Sequence, residues 1–597
     1  MSDERPGLVR RIFGRLWRAV DATRRFVINL VFLLIVVVIL VAWLSGGGRP
    51  KLADNTALVL DLKGDIVEQY TGSAREAELA QALGGTARET QLRDVVAVLD
   101  AAAKDPKIAR AVLLLDDMGA ARLAKLREIA DALERFKSTG KQVVAWASIM
   151  EQQQYYLAAH ANEIYLHPAG MVLVTGYGGY RNYYRDALDH LGVTVNVFRV
   201  GKFKSAVEPF VNNAPSKEAL EAESSWLNDA WGTFTTDVEQ ARHLEAGSIG
   251  RLIDDLPARL KAAGGDAAQL AVSEHLVDAL KTRDQLRALM IERGARDVEH
   301  KTFRQIAMGE YRTLVPETGD RRNQVGVIVA EGEIIDGEAQ QGVIGARSTA
   351  DLVRKAREDD SIKALVLRVD SPGGSAFGAE LIRRELELTR QAGKSVVVSM
   401  SDLAASGGYW ISTAADRVFA DPGTITGSIG VFGMLPTFDR TMDHLSVRTG
   451  GVTTTWLAGA YDPRRPLDPR FGEVVQSGVG HIYRDFLDHV AQARHSTPDQ
   501  INEIAQGRVW TGRQAHERNL VDAFGGLTAA IAAAAEKAKL GEGFHVSYIE
   551  LEARGWGRLL EALPGGIERV LMQRIGADLG GRLGSFLTTT GPVRRDF

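Results

Sequence analysis

The chain has 597 residues, 45% hydrophobic and 25% charged, with a formal net charge of −4; for roughly three to four typical domains or two large ones these are ordinary globular values, against a largely disordered or multispanning protein. It has no cysteine, which excludes disulfides, thiolate nucleophiles and cysteine metal sites. Seven arginines and three carboxylates within residues 1–25 leave +4 there and −8 over the remainder, a balance that does not favour nucleic acid as the main partner.

After this basic segment, residues 26–44 read "FVINLVFLLIVVVILVAWL", with Asn29 the only strongly polar member. Such a stretch is long enough to cross a hydrocarbon core of ~30 Å. Arginines crowd its N-terminal flank and only Arg49 and Lys51 soon follow, so the positive-inside rule places residues 1–25 in the cytoplasm and the rest on the periplasmic or other extracytoplasmic side. A cleaved signal peptide is the competing reading. Its apolar region is shorter, ~7–15 residues, and no small-x-small site follows directly, which favours an uncleaved single-pass anchor. Residues 45–54, with "SGGGRPK", read as a flexible tether.

Beyond the tether the chain repeats itself. "TALVLDLKGDIVE" at 56–68 resembles "VGVIVAEGEIIDG" at 325–337; Asp116 and Asp370 end similar apolar runs 254 residues apart; "YYLAAHANEIYLHP" at 155–168 matches "YWISTAADRVFADP" at 409–422 with the same offset. A one-residue slip separates "KQVVAWAS" from "KSVVVSMS", and "SEHLVDAL" pairs with "ERNLVDAF". Two homologous domains follow, 55–323 and 324–545, with a C-terminal helical extension at 546–597. In each, β-branched runs alternate with helical stretches such as 94–104 and 379–391, implying βαβ units and a largely parallel sheet covered by helices, an α/β class. Helices are also expected within 215–244 and from 496 to 505.

"KSVVVSMSDLAASGGYWISTAAD" reads as a buried strand, a short connection and a helix, with Ser406 near the first helical turn. Unpaired N–H groups and the dipole stabilise negative charge there, and Gly407 and Gly408 admit a substrate backbone. A second strand–glycine–helix unit, "LRVDSPGGSAFGAE", carries Gly373 and Gly374 behind Pro372. Together the two turns could aim amides at one point, an oxyanion hole in outline; singly, each is an ordinary turn or helix start. At the 254-residue offset Ser406 corresponds to Gln152 and "VDSPGG" to "LDDMGA". The fold signal persists in the first repeat while the nucleophile is absent, which favours function in the second.

A serine hydroxyl needs a base. No G-x-S-x-G or H-E-x-x-H occurs and none of the 12 histidines, His444 and His481 included, has an informative setting, although a triad through a distant histidine stays open. A lysine serves if neutral, which takes a pKa lowered by about 3 units at a cost on the order of 4 kcal/mol. "NVFRVGKFKSAVEPF" at 196–210 offers Lys202 and Lys204; by composition alone, two solvated lysines on an amphipathic strand are the commoner reading.

The segments "GKFKSAVEPF" and "AASGGYWISTAAD", with the apolar N-terminal stretch and the tandem repeat, resemble the signal peptide peptidase A (protease IV) family in its long two-domain form, over nearly the whole chain. The resemblance implies a Clp-protease/crotonase-like fold for each repeat and a serine endopeptidase with a Ser-Lys dyad and no metal or cofactor. It assigns Ser406 as nucleophile, Lys204 as general base, Ser428 in "TGSIGVFG" as the residue that orients the lysine, and Gly374 and Gly407 as the oxyanion region. Lys202 is left as a choice to be tested. The part of the second repeat analogous to Lys204, "TTTWLAGAYDP", has no lysine, so each copy keeps half a site and the centre forms where domains meet, within one chain or between neighbours. The implied substrates are signal peptides left after export and similar apolar peptides at the membrane, and the implied assembly is a homotetramer. The rivals are a catalytically silent membrane scaffold and, more weakly, an acyl-CoA binder of the crotonase type.

Overall fold

The computed structural model describes residues 52–71, 89–316 and 319–551, with some helical positions between 17 and 36. The expected anchor at 26–44 falls largely outside these residues, as do the tether from 45 to 51 and the extension beyond 551. Among the described residues no helix is long and apolar enough to cross a membrane. Of the chain's two compact units, one comprises Leu52–Thr71 with Arg88–Leu551 and holds both repeats. In the other, Asp21 pairs with Arg24 and Arg25 along a helix.

The first repeat is built on β1 (Thr56–Asp61), β2 (Ile108–Leu114), β3 (Gln142–Glu151) and β4 (Glu163–Leu173), adjacent and parallel in chain order. Short parallel strands, Gln305–Ala307 and Ala279–Leu280, extend the two edges. The runs are apolar without alternation because both sheet faces are covered. On one face lie α1 (Leu92–Lys104) and α2 (Leu123–Lys137); α1 buries Val95, Val98, Leu99 and Ala102, the i, i+3, i+4, i+7 stripe of a packing helix. On the other, Val59, Val112, Val144 and Trp146 pack with Leu286 and Met290. A short helix, α3 (Gln152–Ala159), follows β3.

The second repeat reproduces this order with β6 (Asp320–Glu331), β7 (Ile362–Ser371), β8 (Ser395–Ala405) and β9 (Arg417–Ala420), all parallel, edged by Phe544–Tyr548 and Ala523–Phe524. The sequence repeat is therefore a repeat of sheet topology. Helix α4 (Ala376–Gln391) begins three residues before the expected 379, where the Ser375 side chain accepts from Gly378 N. The helix expected in 215–244 spans Lys217–Ala241 behind a Ser216 cap, and that from 496 is Pro498–Ile504 behind a Thr497 capping box. One detail differs from expectation: no connection separates β8 from Ser406. After pairing with β9 at 397–400, β8 pairs with Ile425–Gly427 at 403–405. This second ladder keeps the chain extended to Ala405.

The repeats are joined by more than their covalent link. In the first, β5 (Thr194–Val200) leaves its own sheet and pairs antiparallel, along its whole length, with β10 (Val431–Thr437) of the second. Helix Lys217–Ala241 also reaches across, where Thr511 Oγ1 donates to Asp229 and the Gln514 amide to Ser225. The residues just after β5 are thereby carried onto the C-terminal edge of the second sheet, where ligands bind in open α/β sheets.

Candidate active site

Ser406 leaves β8 and caps α5 (Gly407–Ser412) with φ 54° and ψ −116°. This is outside the ordinary basins of a non-glycine residue, a strain of order 1–3 kcal/mol that persists where the surroundings fix it. Ser406 N donates to Gly427 O at 2.9 Å, and its own carbonyl accepts from Trp410 N at 2.9 Å. The Gly373–Gly374 turn packs directly against it. A Cβ on Gly373 (φ 102°) would stand 2.7 Å from Ser406 Cβ, and one on Gly374 (φ 145°) 2.1 Å from Ile334 O, so neither position admits a side chain. The two strand–glycine–helix units thus meet. Among the described residues neither Gly374 N nor Gly407 N has an acceptor, so two backbone donors beside the serine are free to meet a developing negative charge if one forms there.

Lys204 begins the short turn after β5 and is 5% exposed. Its Nζ lies 3.1 Å from Ser406 Oγ, 2.9 Å from Ser428 O and 3.0 Å from Ser428 Oγ. Among the described residues no carboxylate pairs with it, and burial lowers its pKa from 10.5 to about 8. Lys202 is exposed, with Nζ 4.8 Å above the Phe203 ring, and takes no part in the cluster. The structure therefore brings Ser406, Lys204, Ser428, Gly374 and Gly407 together within one chain and leaves Lys202 outside.

The sequence reading missed the segment that seats Lys204. Phe203 N donates to Gln506 O at 2.8 Å, Gly507 N to Ile429 O at 2.7 Å, and Ser428 N to Arg508 O at 2.7 Å. Gly507 has φ 78°, and a Cβ there would lie 2.7–2.9 Å from Lys204 N, Cβ and Cα. Nothing in "AQGRVW" marks this glycine, because what it must avoid lies some 300 residues away. Gly507→Ala is expected to displace Lys204 and lower kcat/KM roughly 10²-fold, the cost of about 1 Å of misplacement. Turnover with the melting temperature measured alongside checks it.

At the corresponding place in the first repeat, side chains fill what the second leaves open. Gln152 Oε1 accepts from Thr175 N and Gly176 N at 3.2 and 2.8 Å. Asp65 Oδ1 accepts from Ala120 N, the amide at the 254-residue offset from Gly374, at 2.7 Å. A carboxylate already occupies the donor that would serve an oxyanion.

Comparison with known proteins identifies the family. The model of peptidase family S49 matches residues 135–296 and 389–541, one segment in each repeat. Protease 4 of Salmonella typhi is 37% identical over 583 residues, 97% of this chain and 94% of its own. Protease 4 of Haemophilus influenzae is 37% identical over 86% of this chain and 85% of its own, and the chloroplastic serine protease SPPA of Arabidopsis thaliana 31% over 83% and 72%. Among solved structures, a ClpP1 chain from Listeria monocytogenes aligns to 34% of this chain and 94% of its own at 13% identity with a TM-score of 0.23, so the fold rests on strand order and not on that likeness. With a family match in both repeats and relatives that share nearly its full length, the chain belongs to peptidase family S49.

Proposed function

We propose that this serine peptidase is a membrane-anchored endopeptidase with Ser406 as nucleophile and Lys204 as general base, acting on cleaved signal peptides and other apolar peptides. The observation that carries the reading is Lys204 itself, a buried lysine with no carboxylate partner among the described residues, whose Nζ lies 3.1 Å from the hydroxyl of a serine with a strained backbone. Burial supplies the neutral amine that a base requires. Ser406 Oγ attacks the scissile carbonyl carbon while its proton passes to Nζ, and the amides of Gly374 and Gly407 receive the oxyanion. The ammonium then protonates the departing amine. A water, deprotonated by the same Nζ, releases the acyl chain. Ser428, bonded to Nζ through its hydroxyl and carbonyl, orients the lysine throughout.

In this reading residues 26–44 anchor the chain in the cytoplasmic membrane, with residues 1–25 in the cytoplasm and the repeats outside it, where apolar peptides collect. Cleavage of a synthetic signal peptide by the full-length protein, blocked by a fluorophosphonate that labels Ser406, tests the activity. A folded protein inert towards a broad panel of apolar peptides and towards the fluorophosphonate points instead to a scaffold.

The pairing of β5 with β10 supports assembly into a ring, by resemblance a tetramer. At the 254-residue offset, β10 corresponds to 177–183 and β5 to 448–454, and neither segment lies in a sheet. Tyr180 and Val452, within them, are fully exposed. Segment 448–454 of one copy meeting 177–183 of the next repeats the internal pairing head to tail, and such contacts form rings when the rotation closes. Val452→Pro, which removes a ladder donor, is expected to reduce the sedimenting species to smaller ones while the fluorophosphonate still labels Ser406, since one chain holds the whole dyad.

A further inference from the structure

Behind the site lies a lysine that the proposed mechanism does not use. Lys125, on α2 of the first repeat, is 5% exposed. Its Nζ stands 2.6 Å from Asp370 Oδ2, 3.4 Å from Glu331 Oε1 and 3.6 Å from Asp402 Oδ2, and its backbone N donates to Asp402 Oδ1 at 3.1 Å. The three carboxylates belong to β6, β7 and β8, and each strand leads within a few residues into one wall of the site. Glu331 precedes Ile334, whose N donates to Gly373 O at 2.8 Å and whose Cδ1 faces Gly407. Asp370 precedes the Gly373–Gly374 turn, and Asp402 precedes Ser406.

We propose that Lys125 is a positioning residue for the proposed Ser406 site, on which this inference rests: its ammonium gathers the ends of three parallel strands so that the Ile334 segment, the glycine turn and the serine meet in register. The arrangement needs a cation. Arg368 is nearby but is engaged by Glu68 and Glu128, so among the described residues Lys125 is the cation that pairs with Asp370, Asp402 and Glu331. Burial raises Asp402 to about 6 and Glu331 to about 7, as expected where one ammonium serves three carboxylates. Asp370 Oδ1 also accepts from Leu403 N at 3.0 Å, which ties β7 to β8.

The first repeat supplies the comparison. Asp116, at the 254-residue offset from Asp370, makes a similar bond one residue out of register, its Oδ1 accepting from Ser148 N on the next strand at 2.5 Å. Yet Asp116 is exposed, and no cation pairs with it among the described residues. Lys125 itself corresponds at that offset to Ala379. The strand-to-strand bond is common to both sheets, whereas among the described residues a buried ammonium paired with the strand-end carboxylate lies only over the sheet that carries the serine.

The test uses the full-length protein, a fluorogenic apolar peptide and the rate of Ser406 labelling by a fluorophosphonate. Lys125→Met is expected to lower kcat roughly tenfold or more with KM within about twofold, and to slow labelling in step, because misplaced loops weaken the transition state more than they weaken binding. Asp370→Asn and Asp402→Asn keep the acceptors for Leu403 N and Lys125 N but remove the charge; each is expected to lose roughly three- to tenfold in kcat with the same KM. Wild-type turnover and labelling in Lys125→Met overturns the inference. If that variant does not fold, unchanged kcat in both asparagine variants overturns it equally. Failure of the underlying reading looks different: Ser406→Ala then still hydrolyses the peptide.

Discussion

Ser406→Ala is expected to abolish peptide hydrolysis, by roughly 10⁴-fold or more, Lys204→Met to do nearly the same, and Lys202→Met to remain within about twofold of wild type, since groups acting as one unit fail together when either is lost. The first two remove the two ends of a 3.1 Å contact; the third removes an ammonium already in solvent above the Phe203 ring. Steady-state hydrolysis of an apolar fluorogenic peptide by each folded full-length variant makes the comparison. Full activity in Lys204→Met would assign the base to another group, and activity surviving in Ser406→Ala would remove the serine mechanism altogether. The first repeat adds a corollary. Gln152→Ser alone is not expected to create a second centre, because Asp65 already holds the amide of Ala120 and the part of the second repeat equivalent to the Lys204 segment has no lysine.

The part of the site that lies close together in sequence is legible there. Strand, Ser406, two glycines and helix occur in a single run, as do strand, Pro372, two glycines and α4; local propensity and turn chemistry mark both, and the structure joins them. The repeat is legible because 254 residues separate matching positions across several elements, and the two sheets obey the same order. Lys204 is different. Its neighbours permit an exposed strand, and what buries it is the β5–β10 ladder with the 505–508 segment, both fixed by the other repeat. Composition cannot express a contact of that kind, which is why family resemblance and not spacing pointed to this lysine. Gly507 and Lys125 escape for the same reason: one is small because a distant backbone needs its space, and the other sits on a helix whose partners are strand ends more than 200 residues away.

Lys204 also predicts a trade between activity and stability. Burial lowers its pKa from 10.5 to about 8, so the amine is mostly neutral only above pH 8. kcat/KM is accordingly expected to fall about tenfold per pH unit below that value and to level off above it. The sign for stability follows from proton counting. Between about pH 8 and 10.5 the unfolded chain retains a proton that the folded chain has released, so stability rises with pH across that window. Below pH 8 the folded state bears the whole cost of the shift, ~3 kcal/mol for a change from 10.5 to about 8. Lys204→Met removes that cost together with the proposed base, at the expense of the hydrogen bonds to Ser428. The inactive variant is therefore expected to be more stable than wild type at pH 7, by roughly 1–3 kcal/mol. The difference should shrink as pH rises towards 10.5, because giving up the proton on folding costs progressively less until, above that value, the lysine is neutral in both states. Denaturant unfolding of both proteins at pH 7 and pH 10 reads the effect directly. A stability difference between the two proteins that is the same at both pH values would mean that Lys204 keeps its proton in the folded state and cannot serve as the resting base.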